Sequence, residues 1–320
     1  MQRFLFLFAA AMTVTAAGQD CTQSVPVGVI EQRTAALIAP VALDALQARM
    51  GSTPLRITSL DRVRGRRIMI LVDASGSMGE MTDIPSYQGP ALRTIKQTLR
   101  DLMEELPSGA SVEYGLFSTK SAFSEAFISD PKELEKNIEA VTARFGKTGF
   151  GHTALFDALH KALMRFGTPQ PGDSILLLTD GGDNSSQLTA GKLEHEFHAA
   201  NTRLLTLLVL QRGREFELEA VDQVLDLVTK TGGSSLSIYT TDDPWLGKKG
   251  LGENVQVLRR FWNDKILFGY VAQVQVPGSF KDDKKWTLSL NRETDPRLKN
   301  ATPVYPDHLS ACPVARAAAH

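Results

Sequence analysis

Three stretches of this chain are apolar almost without a break, and they limit the folds open to it. They are Ile68-Met69-Ile70-Leu71-Val72, entered at Arg67, then Ile175-Leu176-Leu177-Leu178, and Leu204-Leu205-Thr206-Leu207-Leu208-Val209-Leu210. A strand with one wet face alternates polar and apolar residues. A strand covered on both faces does not, and such strands belong to parallel sheets flanked by helices.

Helical spacings fall between these runs. Leu92, Ile95, Leu99, Leu102, Met103 and Leu106 recur at three and four residues, as do Leu134, Ile138, Val141 and Phe145. The second group follows Asp130-Pro131, a capping residue with proline at the first helical position. Leu155, Leu159 and Leu163 mark a third helix. Phe216, Ala220, Val221, Val224, Leu225 and Val228 mark another, stopped by Gly232-Gly233. Residues 112–118 and 122–128 read as a hairpin around Thr119-Lys120, and residues 236–239 as a last core strand. The expected fold class is α/β: a doubly wound, mostly parallel sheet whose ligand chemistry lies at the carboxyl ends of its strands.

The flanks add a small β extension from both ends of the chain. Residues 25–30 and 55–60 read as strands. After a helix near 255–262, residues 268–276 and 285–291 read as an antiparallel pair. The expected organisation is a signal peptide at 1–17, an N-terminal β flank at 18–66, the α/β unit at 67–241, and a helix with β extension at 242–320.

The leader reading rests on Arg3, the apolar run from Phe4 to Val14, and the small residues Thr15-Ala16-Ala17-Gly18. That run is short of the roughly 20 residues a bilayer span needs. Secretion into a periplasmic or extracellular space is therefore expected. The two cysteines, Cys21 and Cys312, lie far apart in the sequence. In an oxidising compartment they favour a bridge, worth about 4–5 kcal/mol on the chain-entropy account. The alternative is two free thiols. With 35 basic and 36 acidic residues, net charge -1, there is no concentrated positive field for nucleic acid. The cluster Arg62, Arg64, Arg66, Arg67 reads as a solvated lead-in to the first buried strand.

That strand runs into Asp73-Ala74-Ser75-Gly76-Ser77, a D-x-S-x-S sequence. Further on come Gly149-Phe150-Gly151-His152-Thr153 and Leu178-Thr179-Asp180-Gly181-Gly182-Asp183. In this order the three segments resemble the metal-ion-dependent adhesion site of von Willebrand factor A-type domains. The flanks, at residues 46–49, 57–60 and 304–312, resemble the related proteins of acidobacteria. The resemblance implies a metal held by Asp73, Ser75, Ser77, Thr153 and Asp180. The three hydroxyls would touch it and the two carboxylates would act largely through water. One position stays open for a carboxylate from a protein partner. The donor set agrees, because oxygen-only ligands suit hard cations: Mg²⁺ first, with Ca²⁺ or Mn²⁺ as alternatives. The expected function is thus an exported, metal-dependent protein-binding module and not an enzyme. A structural envelope component with a stabilising metal is the alternative.

Other motifs carry less. Asp183 reads as a turn group near the site. Neither Ser75 nor Ser77 sits in G-x-S-x-G, which counts against a serine hydrolase. His195-Glu196-Phe197-His198 has one residue too few between its histidines for a zinc-protease helix and reads as an exposed helix face. Asn184-Ser185-Ser186 matches a glycosylation acceptor.

Overall fold

The computed structural model describes residues 21–32, 36–64, 67–79, 109–145, 152–211, 218–240, 261, 268–278 and 280–312. The leader and the helix expected at 92–106 lie outside these residues, as does the helix near 255–262 apart from the buried Phe261.

The chain opens with strands β1 (Cys21–Glu31), β2 (Leu46–Met50) and β3 (Thr53–Arg64), then enters the α/β unit. That unit contains β4 (Arg67–Asp73), the single turn α1 (Gly76–Gly79), β5 (Ser111–Phe117), β6 (Ser121–Phe123), α2 (Pro131–Phe145) and α3 (Leu155–Arg165). It continues through β7 (Ser174–Thr179), α4 (Ala190–Ala200), β8 (Arg203–Gln211), α5 (Leu218–Lys230) and β9 (Ser234–Thr240). The return through the flank supplies β10 (Phe268–Val276), β11 (Lys284–Lys285), β12 (Thr287–Leu290), β13 (Ala301–Val304) and β14 (His308–Leu309).

The α/β sheet has the order β6-β5-β4-β7-β8-β9 and is parallel except for β6, which hairpins back on β5. Strand β4 explains why its sequence does not alternate. Ile68, Ile70 and Val72 face one core with Leu134 and Val141 of α2. Met69 and Leu71 face the other, with Leu155 and Leu159 of α3 and Phe197 of α4. Each fully buried Leu or Ile contributes about 1.5–3 kcal/mol. The strand order reverses at β4: the chain leaves it for β5 on one side and later returns to β7 on the other. Such a switch point leaves a crevice beyond the strand's carboxyl end.

Two sequence expectations need correction here. Arg67 is not a solvated lead-in. Its Nε and Nη2 grip Asp173 at 2.9 and 2.5 Å, and it also donates to Phe166 O and Thr168 O. Asp173 is fully buried, so the fork neutralises a charge that the interior would otherwise reject. The partner lies 106 residues away, beyond any local pattern. Nor do residues 268–276 and 285–291 pair with each other. Strand β10 runs antiparallel between β3 and β1, whereas β12 joins β2 at an outer edge.

The β extension drawn from both flanks is an antiparallel sheet of order β12-β2-β3-β10-β1-β13, with Trp286 buried in its core. Cys21 and Cys312 form a disulfide, joining the start of β1 to the C-terminal segment. Among the described residues, no helix is long and apolar enough to cross a membrane.

Candidate metal centre

At the carboxyl end of β4, Asp73 is fully buried. Its Oδ1 accepts from the backbone N of Ser75 at 2.8 Å, and its Oδ2 accepts from Thr179 Oγ1 at 2.6 Å. The first bond folds the chain into the tight turn that begins α1, in the manner of an aspartate helix cap. As a result, Ser75 and Ser77 point their hydroxyls at one another, with the oxygens 3.1 Å apart. Ser75 is buried and Ser77 half-buried.

Three loops meet here because the ends of the sheet bind them in sequence. Phe117 O at the end of β5 accepts from Ala74 N, and the next carbonyl, Ser118 O, accepts from Ala154 N. The segments carrying Asp73 and Thr153 are thereby laid side by side. The loop after β7 then clamps Thr153. Asn184 Oδ1 accepts from Thr153 N at 2.8 Å, while Asn184 N and Ser185 N donate to Thr153 O. Asp183 accepts from Leu155 N at 2.8 Å and from Ser186 Oγ at 2.6 Å, holding the start of α3. Asp180 is half-buried, and the left-handed backbone of Gly181 (φ +101°) turns the chain just beyond it.

The structure therefore brings Asp73, Ser75 and Ser77 into direct contact and Asp180 within electrostatic reach of Asp73. It also places buried Thr153 on the adjoining loop. Burial, and then the negative charge of Asp180, push the Asp73 carboxyl up to about 7 against the lowering effect of its bonds from Thr179 and Ser75. Among the described residues, no ion pair offsets its charge. Asp73→Asn keeps an acceptor for Ser75 N and removes the buried charge. In chelator this variant should melt higher than wild type, by about 2–4 °C for each kcal/mol relieved. A lower melting temperature would show that the carboxylate is not a local liability.

Two features of the site were not read from the sequence. Thr179 lies at the end of an apolar run and gives no polar pattern, yet its hydroxyl is the direct partner of Asp73. Asn184 was read only as a glycosylation acceptor, yet its side chain fixes the backbone of Thr153. The run Asp183-Asn184-Ser185-Ser186 was the available signal, since these residue types hydrogen-bond nearby backbone. His152, beside Thr153, is exposed.

Residues 68–182 match a family model described as von Willebrand factor type A domain. Among solved structures, the conserved hypothetical protein BatB from Bacteroides thetaiotaomicron is 17% identical, with the match covering 60% of this chain and 100% of that one at a TM-score of 0.43. A von Willebrand factor type A protein from Catenulispora acidiphila is 14% identical, covering 86% of this chain and 70% of that one at a TM-score of 0.42. Proximal thread matrix protein 1 from the mussel byssus, in a form with a zinc-occupied MIDAS motif, is 16% identical. That match covers 67% of this chain and 50% of the mussel protein at a TM-score of 0.47. No curated protein matches. The family match starts in β4, where the strand order reverses, and the α/β unit of this chain has a von Willebrand factor A-like fold.

Proposed function

We propose that this protein is an exported binding module that holds a divalent cation through Asp73, Ser75, Ser77, Thr153 and Asp180 and recognises an acidic group on a partner protein. The observation that carries the reading is Asp73: a carboxylate buried beside a second carboxylate, with no cationic side chain paired to it among the described residues and two hydroxyl oxygens next in the chain. A carboxyl buried in this way either takes up a proton, as its upward shift reflects, or is kept charged by a counter-ion. A donor set made only of oxygen selects a hard ion, Mg²⁺ ahead of Ca²⁺ or Mn²⁺. When bound, the cation would supply a positive centre with which a partner's carboxylate can pair.

The residues of this chain divide the remaining work. Thr179 and Ser75 N orient Asp73, Asn184 holds Thr153, and Asp183 anchors the helix behind it. A hydrolytic reading has less support. Among the described residues, the hydroxyl of Ser75 pairs with Ser77 and with no base. Export is supported by the disulfide, which persists in oxidising compartments.

The test is capture of envelope proteins by the immobilised chain, in Mg²⁺ and in EDTA, for wild type and Thr153→Ala. Water replaces a lost hydroxyl on a hard cation, so Thr153→Ala should weaken metal binding only modestly. Partner capture should fall at least about tenfold, a change of about 1.4 kcal/mol. If Thr153→Ala captures the same partner as well as wild type at saturating Mg²⁺, the metal is structural and the recognition role is wrong.

A further inference from the structure

We propose that Glu194, His198, Asp307 and His308 form a second metal site, specific for a zinc-class ion, that fastens the α/β unit to the C-terminal segment. One ligand atom from each of these residues lies within 4.8 Å of all the others. A tetrahedral zinc site with bonds of roughly 2.1 Å needs ligand atoms about 3.4 Å apart, so closing the widest pair by up to about 1.4 Å completes it. Two imidazoles and two carboxylates suit zinc and its late-transition neighbours, whereas Mg²⁺ and Ca²⁺ prefer oxygen alone.

The placement follows from helix periodicity. Glu194 and His198 are four residues apart on α4 and share one face of it. Contrary to the sequence expectation of an exposed face, His198 is buried. The face meets Asp307 and His308, adjacent at the start of β14. His198 Nε2 lies 3.1 Å from Lys230 O and 3.5 Å from Asp307 Oδ1. Its other ring nitrogen faces Asp283 Oδ2 at 3.8 Å, on the side where a metal-bound imidazole commonly has a carboxylate to orient it. His308 Nδ1 is 2.8 Å from Asp307 Oδ1, and the two imidazole rings are centred 5.2 Å apart.

Charge points the same way. The Lys230 ammonium sits 2.9 Å from both Glu194 and Asp226, while Asp283 and Asp307 approach the ring nitrogens of His198 at 3.8 and 3.5 Å. Lys230 can keep Asp226 when Glu194 turns to a metal, so the exchange leaves no charge stranded. A small recess lined in part by Gln23, Asn201 and Ser310 borders both His198 and His308.

Zinc titration of the full, disulfide-bonded chain tests the site. Both the wild type and the Ser75→Ala, Ser77→Ala variant are titrated in excess Mg²⁺, which separates this centre from the oxygen-only one. The expected result is one equivalent of Zn²⁺ retained in both proteins, and strong visible absorption from Co²⁺ in its place, the signature of tetrahedral coordination. His308→Ala, at the rim, and the isosteric Glu194→Gln should each weaken Zn²⁺ at least tenfold. Absence of zinc binding, affinity unchanged in both ligand variants, or only the faint absorption of octahedral cobalt would each overturn the proposal. None of these outcomes alters the reading of the Ser75 centre.

Discussion

Calorimetric titration of the Ser75→Ala, Ser77→Ala double variant with Mg²⁺ should show no binding, while wild type gives a saturable heat. The two hydroxyls lie 3.1 Å apart at the carboxyl edge of the sheet, and the double change removes both at once. Water replaces one lost hydroxyl on a hard cation. Replacing two leaves the Thr153 hydroxyl as the one direct protein ligand beside the two carboxylates, and the affinity should fall about 100-fold or more, roughly 2.7 kcal/mol. The fold should survive. The turn is held by Ser75 N donating to Asp73 and by Ala74 N donating to Phe117 O, and neither bond uses a serine hydroxyl. In chelator, the double variant should therefore melt within a few degrees of wild type. Retained Mg²⁺ affinity in the folded variant would sink the site.

The second large effect is expected at Gly233. Helix α5 ends in a paired-bond cap: Gly232 N donates to Thr229 O and Gly233 N to Val228 O, with Gly232 left-handed at φ +68°. A Cβ on Gly233 would stand 1.7 Å from Leu204 O and 2.7 Å from its carbonyl carbon. Both are backbone atoms of the central strand β8, which cannot move aside as a flexible side chain would. Gly233→Ala should cost about 4 kcal/mol or more, at the extreme of single substitutions, and should leave little folded protein. Gly191→Ala is the matched control. Nothing lies within 4 Å of its added Cβ in α4, so the change should be neutral or stabilising by up to about 1 kcal/mol. Thermal melts of the two variants decide the matter, and a Gly233→Ala protein melting within a few degrees of wild type would refute the account.

Gly232-Gly233 also shows how far the sequence could be read. The pair was legible as a helix stop because capping is local. Its second role was not, since the contact with Leu204 joins residues far apart in the chain. The same division runs through the molecule. Strands β4, β7 and β8 were visible because burial on both faces erases alternation, and α2 because Asp130 and Pro131 announce it. Partners were invisible wherever they came from afar: Asp173 for Arg67, Lys230 O for His198, and β3 and β1 for β10. For the candidate metal centre, residue types and spacing marked Asp73, Ser75 and Ser77. Thr179 was masked by its apolar strand, and Asn184 by a motif with a different meaning.

Strands β3 and β10 are hydrogen-bonded neighbours in the antiparallel sheet, yet every element of the α/β unit lies between them in sequence. The domain is thus an insertion whose two ends must emerge side by side. Once folded, it shortens the effective loop between β3 and β10 and so spares the flanking sheet part of the entropy of closing a loop of some 200 residues, about 4–5 kcal/mol in full by (3/2)RT ln n. If the insertion melts, β3 and β10 lose that preorganisation and must find each other through a flexible chain. Stability is in this way shared between the two sheets: an ion bound at the proposed site beyond β4 would also strengthen pairing in a sheet that contributes no ligand to it.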